Sequence, residues 1–400
     1  MIKKIFLSLF LTTFTFAQSV GDDNNKFAFA LVSQLEEKSE NLAFSPYGIF
    51  SNLALLYFGA DGDTATQIKS VLHLSASDDL FLKAFHKHFH SLSHLSEWGY
   101  QLEIANALFS HKGTHFLKKY QEIATDYFDA KIQSIDYELP DSVLRIVNGW
   151  ISEKTRGRIP ELIHPEDIDA STRLMAINTV FFQGDWQYPF SPQMTALSPF
   201  YLESSSSAID VEMVHQLHSF PYFENEEIQC VALPFARKDV HQPFLECIVI
   251  LPKQRSLDHL ETNLNAENFA QWNQSLKPTY LDVKIPKFCF SKRLQLNTPL
   301  ENLGMKDSFS YLANFSNING MKDLHLQKVL HETYVSFHEK GLIAAAATSS
   351  QIGMKALPPS SQPPTLFVAD HPFFFFIVDY HSQSILFMGR VTDPTKDVCR

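Results

Sequence analysis

Apolar positions along the chain keep helical or strand rhythm up to one long polar interruption near its end. Pro140-Asp141-Ser142 opens a predicted helix whose apolar stripe runs Val143, Val147, Trp150, Ile151, spaced i, i+4, i+7, i+8. Arg173 to Phe182 is almost continuously apolar, as a strand buried on both faces would be. Residues 247–252 and 372–378 read the same way, which assigns Phe373 to Phe376 to a core strand and not to a ligand box. Val329, His331, Thr333, Val335 and Phe337 alternate along another strand and share one face, so His331 points inward. Between Thr348 and Pro364 the texture changes to Ser, Pro, Gln and Thr, and Pro358, Pro359, Pro363 and Pro364 forbid regular structure. A loop of about seventeen residues inside a compact domain is functional or disordered.

Composition narrows the class. Met1-Ile2-Lys3-Lys4 is basic, Ile5 to Phe16 is mostly apolar and Ala17 is small, the shape of a signal peptide over residues 1–17. The apolar stretch of about twelve residues is too short for a bilayer, which takes roughly twenty. Secretion, to an extracellular or periplasmic space, is therefore expected, with residues 18–400 as one domain. Cleavage removes two lysines and moves the net charge from −11 to −13. An acidic chain with scattered basic residues argues against nucleic acid, and no later stretch could span a membrane. Apolar content of 45% is ample for a sizeable core.

Chemistry is sparse. No G-x-S-x-G, H-E-x-x-H or G-x-x-x-x-G-K-[ST] motif occurs, so neither catalysis nor a cofactor is expected. His86, His90 and His94 share one face of a helix whose neighbouring face carries Leu82, Phe85, Phe89 and Leu92. A third metal ligand is not visible, so a solvated face is expected, with an anionic polysaccharide as the minority partner. The cysteines are Cys230, Cys247, Cys289 and Cys399. Cys230 and Cys247 flank Lys238-Asp239 on strand-like runs; buried free thiols are the expectation, and an oxidising compartment leaves a bridge open. Asn273-Gln274-Ser275 and Asn314-Phe315-Ser316 fit the glycosylation pattern.

The polar loop is preceded by Glu339-Lys340-Gly341-Leu342-Ile343, the run Ala344, Ala345, Ala346, Ala347, then Thr348. This resembles the hinge of the serpins. Pro372-Phe373, Ile385 to Val391 and Asp393-Pro394 are similar to that family's C-terminal signature. Further matches in family order include Phe44-Ser45-Pro46, Gly59-Ala60, Asn106 to Phe109, Asn148 with Trp150, Asn178 with Phe181 to Trp186, and Leu303-Gly304-Met305. They run from about residue 24 to 396.

The resemblance implies an α+β fold of three β-sheets and eight or nine helices, with an exposed reactive-centre loop at about 342–366. It implies a monomer able to gain a strand in its largest sheet and to trap a serine protease by doing so. Counted as the family counts, the scissile bond is Lys355–Ala356, a bait suited to a trypsin-like pocket with a carboxylate at its base. A one-residue offset would make Met354 the bait. The family's polar gate maps onto Ser45, Asn178 and His331, with the Asn178 amide as the candidate partner of the buried imidazole, and Trp186 maps near the top of the sheet. Satisfied core residues are the alternative reading of all four. Gly341 suits a hinge, and the alanines have little to clash as a sheet opens. Two departures stand out. Leu342 replaces a small or hydroxylated residue, and its volume is expected to slow insertion. Gly48 replaces a gate serine and is expected to remove one hydrogen bond. They keep a non-inhibitory binding or carrier serpin open as the second reading, with an enzyme as a distant third.

Overall fold

Two hydrogen-bonded sheets organise the computed structural model, which describes residues 20–35, 39–203, 208–237, 244–342 and 363–396. The first has, in spatial order, β10 (Phe288–Gln295), β11 (Leu326–His338), β12 (Gly341–Leu342), β4 (Leu174–Asp185), β2 (Gln101–His111) and β3 (Lys131–Ile135). The second runs β1 (Leu42–Phe44), β15 (Ile385–Val391), β14 (Phe373–Asp379), β8 (Leu245–Pro252), β7 (Ile228–Pro234), β6 (Ala208–Glu224), β9 (Lys277–Pro286) and β13 (Thr365–Val368), with β5 (Ala196–Tyr201) beside β6. Three sheets appear as two assemblies because β6 is continuous over 17 residues and pairs with β5, β9 and β7 along its length. Ten α-helices occur among the described residues: one over 20–32 and nine that follow.

Both faces of the first sheet are covered, which explains the unbroken apolar run in β4. Helix Pro140–Lys154 lays Val143, Val147, Trp150 and Ile151 on Ala107, Phe109, Met175, Ile177 and Leu330. Helix Pro46–Gly59 packs on the opposite side, against β2, β4 and β15, and is buried almost all round. It starts where Ser45 Oγ accepts the Gly48 N–H at 3.0 Å, with Pro46 at the first helical position.

Strand β14 carries Phe373 to Phe376, all at most 1% exposed, between β15 and β8. Cys230 and Cys247 lie on the paired strands β7 and β8, but Cys230 faces Ile250 and Cys247 faces Leu233, so the two are out of register. Both are buried free thiols, pushed upward in pKa by burial. No helix among the described residues is long and apolar enough to cross a membrane. The expected signal peptide lies outside them.

Candidate functional site

The centre of interest is the seam between β4 and β11. The two strands pair in parallel from Leu326 opposite Leu174 to Thr333 opposite Val180. Above that point β12 separates them and bonds both neighbours: Leu342 faces Phe337 and Gly184, and Gly341 faces His338 and Asp185. Leu342 is only 2% exposed, so its volume is already accommodated, and the expectation that it must still be forced into the sheet is corrected. Gly341 admits no side chain, because a Cβ there would overlap the Gly184 carbonyl oxygen. The loop bounds 342–366 are corrected too: Leu342 is a β12 residue and Leu366 a β13 residue. Ala344, Ala345, Ala346, Ala347, Thr348, Met354, Lys355 and Ala356 lie outside the described residues.

The start of the hinge is anchored. Glu339 Oε1 accepts from Thr195 Oγ1 at 2.9 Å and meets Lys287 Nζ at 3.3 Å, and Lys287 also pairs with Glu212 at 3.0 Å. Partial burial pulls the Glu339 carboxyl upward, but its backbone bond, Thr195 and Lys287 outweigh that and hold it below its ordinary range. The Glu339 and Lys340 carbonyls accept from the Phe190 and Trp186 amides at 2.8 and 2.7 Å. Trp186 stacks on Phe235 with centroids 4.6 Å apart and donates Nε1–H to the His338 carbonyl at 2.9 Å.

Below β12 the seam is polar. The Ser45 N–H donates to His331 Nε2 at 2.9 Å, so the proton of the neutral ring sits on Nδ1 and is donated to Asn178 Oδ1 at 2.8 Å. Asn178 Nδ2 donates in turn to Asn106 Oδ1 at 2.9 Å, and Asn106 Nδ2 donates to Ser51 Oγ. The expected His331–Asn178 contact is thus present. Ser45 takes part through its backbone, while its hydroxyl donates to the Leu386 carbonyl at 2.6 Å. Asn106 and Ser51 extend the chain; the sequence marked Asn106 only as a family match. Burial pushes His331 down to about 3, so the ring stays neutral.

Gly48 requires a correction. A Cβ at this position would collide with Asn178 Oδ1 and with Val180 Cγ2. The glycine therefore makes room for the asparagine that holds His331.

Away from the seam, His90 and His94 are exposed, His86 is half-buried, and the His90 and His94 rings stack with centroids 4.0 Å apart. No group of three or more metal-ligating residues occurs among the described residues. Sequence reading missed His88 on the same helix. It is buried, with Nε2 at 3.1 Å from Asp379 Oδ2 and 3.0 Å from Ser382 Oγ. Both partners address one nitrogen, so this is not a relay of the Ser-His-Asp kind; it pins the helix to the β14–β15 turn.

The family model described as Serpin (serine protease inhibitor) matches residues 22–394. A leukocyte elastase inhibitor of Bos taurus is 34% identical, over 93% of this chain and 98% of the relative. Among solved structures, native protease nexin-1 with heparin superposes with a TM-score of 0.85 at 25% identity, over 94% of this chain and all of that one. Thyroxine-binding globulin complexed with thyroxine gives 0.82 at 25% identity, over 94% and 99%.

Two outcomes follow from the seam. Gly48→Ser should lower the unfolding free energy by about 1–3 kcal/mol through overpacking against Asn178, read by urea denaturation; a change within about 0.5 kcal/mol would refute the steric argument. His331 has a native pKa below its unfolded value, so the unfolded chain binds the extra proton. The stability this neutral ring contributes is complete above about pH 6.5 and falls toward pH 3, by at most about 1.4 kcal/mol per unit. In an NMR titration from about pH 7.5 to 5 the His331 ring signals should stay flat, and a midpoint near 6.5 would contradict its burial.

Proposed function

Because this chain belongs to the serpin family of serine protease inhibitors, we propose that it is a secreted suicide inhibitor of trypsin-like serine proteases, consumed at Lys355–Ala356. The observation that carries the reading is β12: two residues of the hinge already pair on both sides with a sheet parted at its top. The protease serine attacks the Lys355 carbonyl, the Ala356 amine leaves with a proton, and an acyl-enzyme forms. Ile343 to Lys355 then continues β12 down the seam, about 43 Å of strand at ~3.3 Å per residue. The tethered protease is carried along and deformed before water can release it. Nothing is turned over.

A cationic Lys355 side chain suits a trypsin-like pocket, whereas the bovine relative is named for elastase; the Met354 offset would suit that class. The charged and apolar leader over residues 1–17 supports export, as does Cys289, which is disulfide-bonded, a state that persists in oxidising compartments. Leu342 and Gly48 were the reasons for a carrier function, and both fit the seam. A polysaccharide partner rests on the heparin-bound neighbour and on the face with Lys83, Lys87, His90 and His94, and the inhibitory reading does not depend on it.

Incubated with trypsin, the protein should form a covalent complex that survives SDS, and Lys355→Ala should abolish it. Chain nicked at the bait bond should melt well above intact chain. Clean nicking with no complex and no gain in melting temperature would leave a protease substrate in place of an inhibitor. Complexes with elastase alone would move the bait to Met354. Protein recovered outside the cell should begin at Gln18 by N-terminal sequencing; an intact Met1 would remove the export reading.

A further inference from the structure

We propose that His90 and His94 form a two-point site for a divalent transition-metal ion (zinc, copper or nickel) at the C-terminal end of helix Asp78–Ser93. The inference stands apart from the inhibitory reading and holds whether or not the chain traps a protease. It comes from two imidazoles that this helix brings face to face. Residues four apart on a helix project side by side. His90 lies in the last turn, and His94 is the residue that ends it. Their rings stack with centroids 4.0 Å apart and planes 29° from parallel. Two nitrogens held by one ion at about 2.0–2.1 Å sit about 3.0–3.4 Å from each other, so the rings need to close by only about 1 Å or less.

Hydrogen bonding prepares the donors. His94 Nδ1 lies 2.8 Å from the His90 carbonyl oxygen, which can only accept, so Nδ1 carries the proton. Ser93 Oγ, 3.2 Å away, stands beside the same N–H. In the neutral ring the lone pair is then on Nε2, and no described residue bonds it. An imidazole that donates its other N–H to a backbone carbonyl is the usual arrangement of a metal-bound histidine, because it fixes both tautomer and ring orientation. Neither ring nitrogen of His90 is hydrogen-bonded to a described residue, so that ring is free to turn toward the ion.

The platform beneath the pair is firm. Phe81, Phe85, Phe89 and Leu92 bury the inner face of the helix, and Asp379 and Ser382 hold His88. Leu95, just past the pair, is fully buried and fixes the chain on that side. Ligands on an anchored helix are placed more precisely than ligands on a loop. The carbonyls at a helix C-terminus also favour a cation. Lys87, three residues before His90, works against one and lowers the affinity. His86 is the rival partner one turn earlier. Its centroid is 5.9 Å from that of His90, and it packs edge-on against Tyr127 at 5.3 Å. Residues 86 to 94 span about 12 Å of helix, too far for all three rings to share an ion. Two imidazoles suit zinc, copper and nickel, whereas magnesium and calcium take oxygen ligands. Water fills the remaining positions, so the site is open.

The test uses untagged protein and the metal alone. In calorimetric titration with ZnCl2, His90→Gln and His94→Gln should each weaken binding about tenfold or more. His86→Gln should stay within about twofold of wild type, and MgCl2 should give no binding heat. Substoichiometric CuCl2 should broaden the ring NMR signals of His90 and His94 in wild type before those of any other histidine. This second measurement decides the case even where a variant loses stability. A wild type that binds no zinc, single variants that bind it as wild type does, or broadening centred on other histidines would each overturn the site. An equal loss in His86→Gln would place the ion on a different pair and overturn it too.

Discussion

The rest of this molecule depends on one contact, the parallel pairing of β4 with β11. Parallel ladders are somewhat less stable per residue than antiparallel ones, and here the parallel stretch is short, Leu326 to Thr333 against Leu174 to Val180. Its flanks are strong by comparison. β4 pairs with β2 over ten residues and β11 with β10 over eight, all antiparallel. The sheet therefore has a built-in line of least cohesion through its middle. Helix Pro46–Gly59 beneath that line supplies, through Ser45, the amide that holds the His331 ring.

Two features hold this seam shut. At the level of His331 a file of hydrogen bonds from Ser45 to Ser51 crosses the sheet from β11 to β4 and β2, so opening disturbs several buried polar groups at once. At the top, Glu339 is gripped by Thr195 and Lys287, and the Trp186 and Phe190 amides hold the backbone on either side of Lys340. The backbone is thus held through Glu339 and Lys340 and on through the β12 pairing of Gly341 and Leu342.

Much of this was legible in the chain. The helix at Pro140 and the buried strands at 174, 245 and 373 followed from apolar rhythm, and His331 facing inward followed from alternation. What was not legible depends on contacts between residues far apart in sequence. Gly48 looked like a lost serine because its neighbours Asn178 and Val180 are some 130 positions away. The bulk of Leu342 looked like an obstacle because nothing local reveals that the sheet is already parted there. His88 sat unnoticed in a helix rich in histidines because its partners, Asp379 and Ser382, lie in a turn near the other end of the chain. The union of sheets through β6 escaped notice because a 17-residue strand carries no signal for which neighbours it will find at each end.

These misses share a direction. Each local oddity, the glycine in the gate and the leucine at the hinge, read as a defect when judged alone, and each fits once its distant partner is in place. The same reasoning explains why the seam is polar at one level only. An apolar row there would pack as well shut as open and would give the sheet no preferred register. His331 and Asn178 satisfy each other across the seam in direct contact. A buried polar pair of this kind costs stability relative to a well-packed apolar row, and what it gives in return is one defined register between β4 and β11.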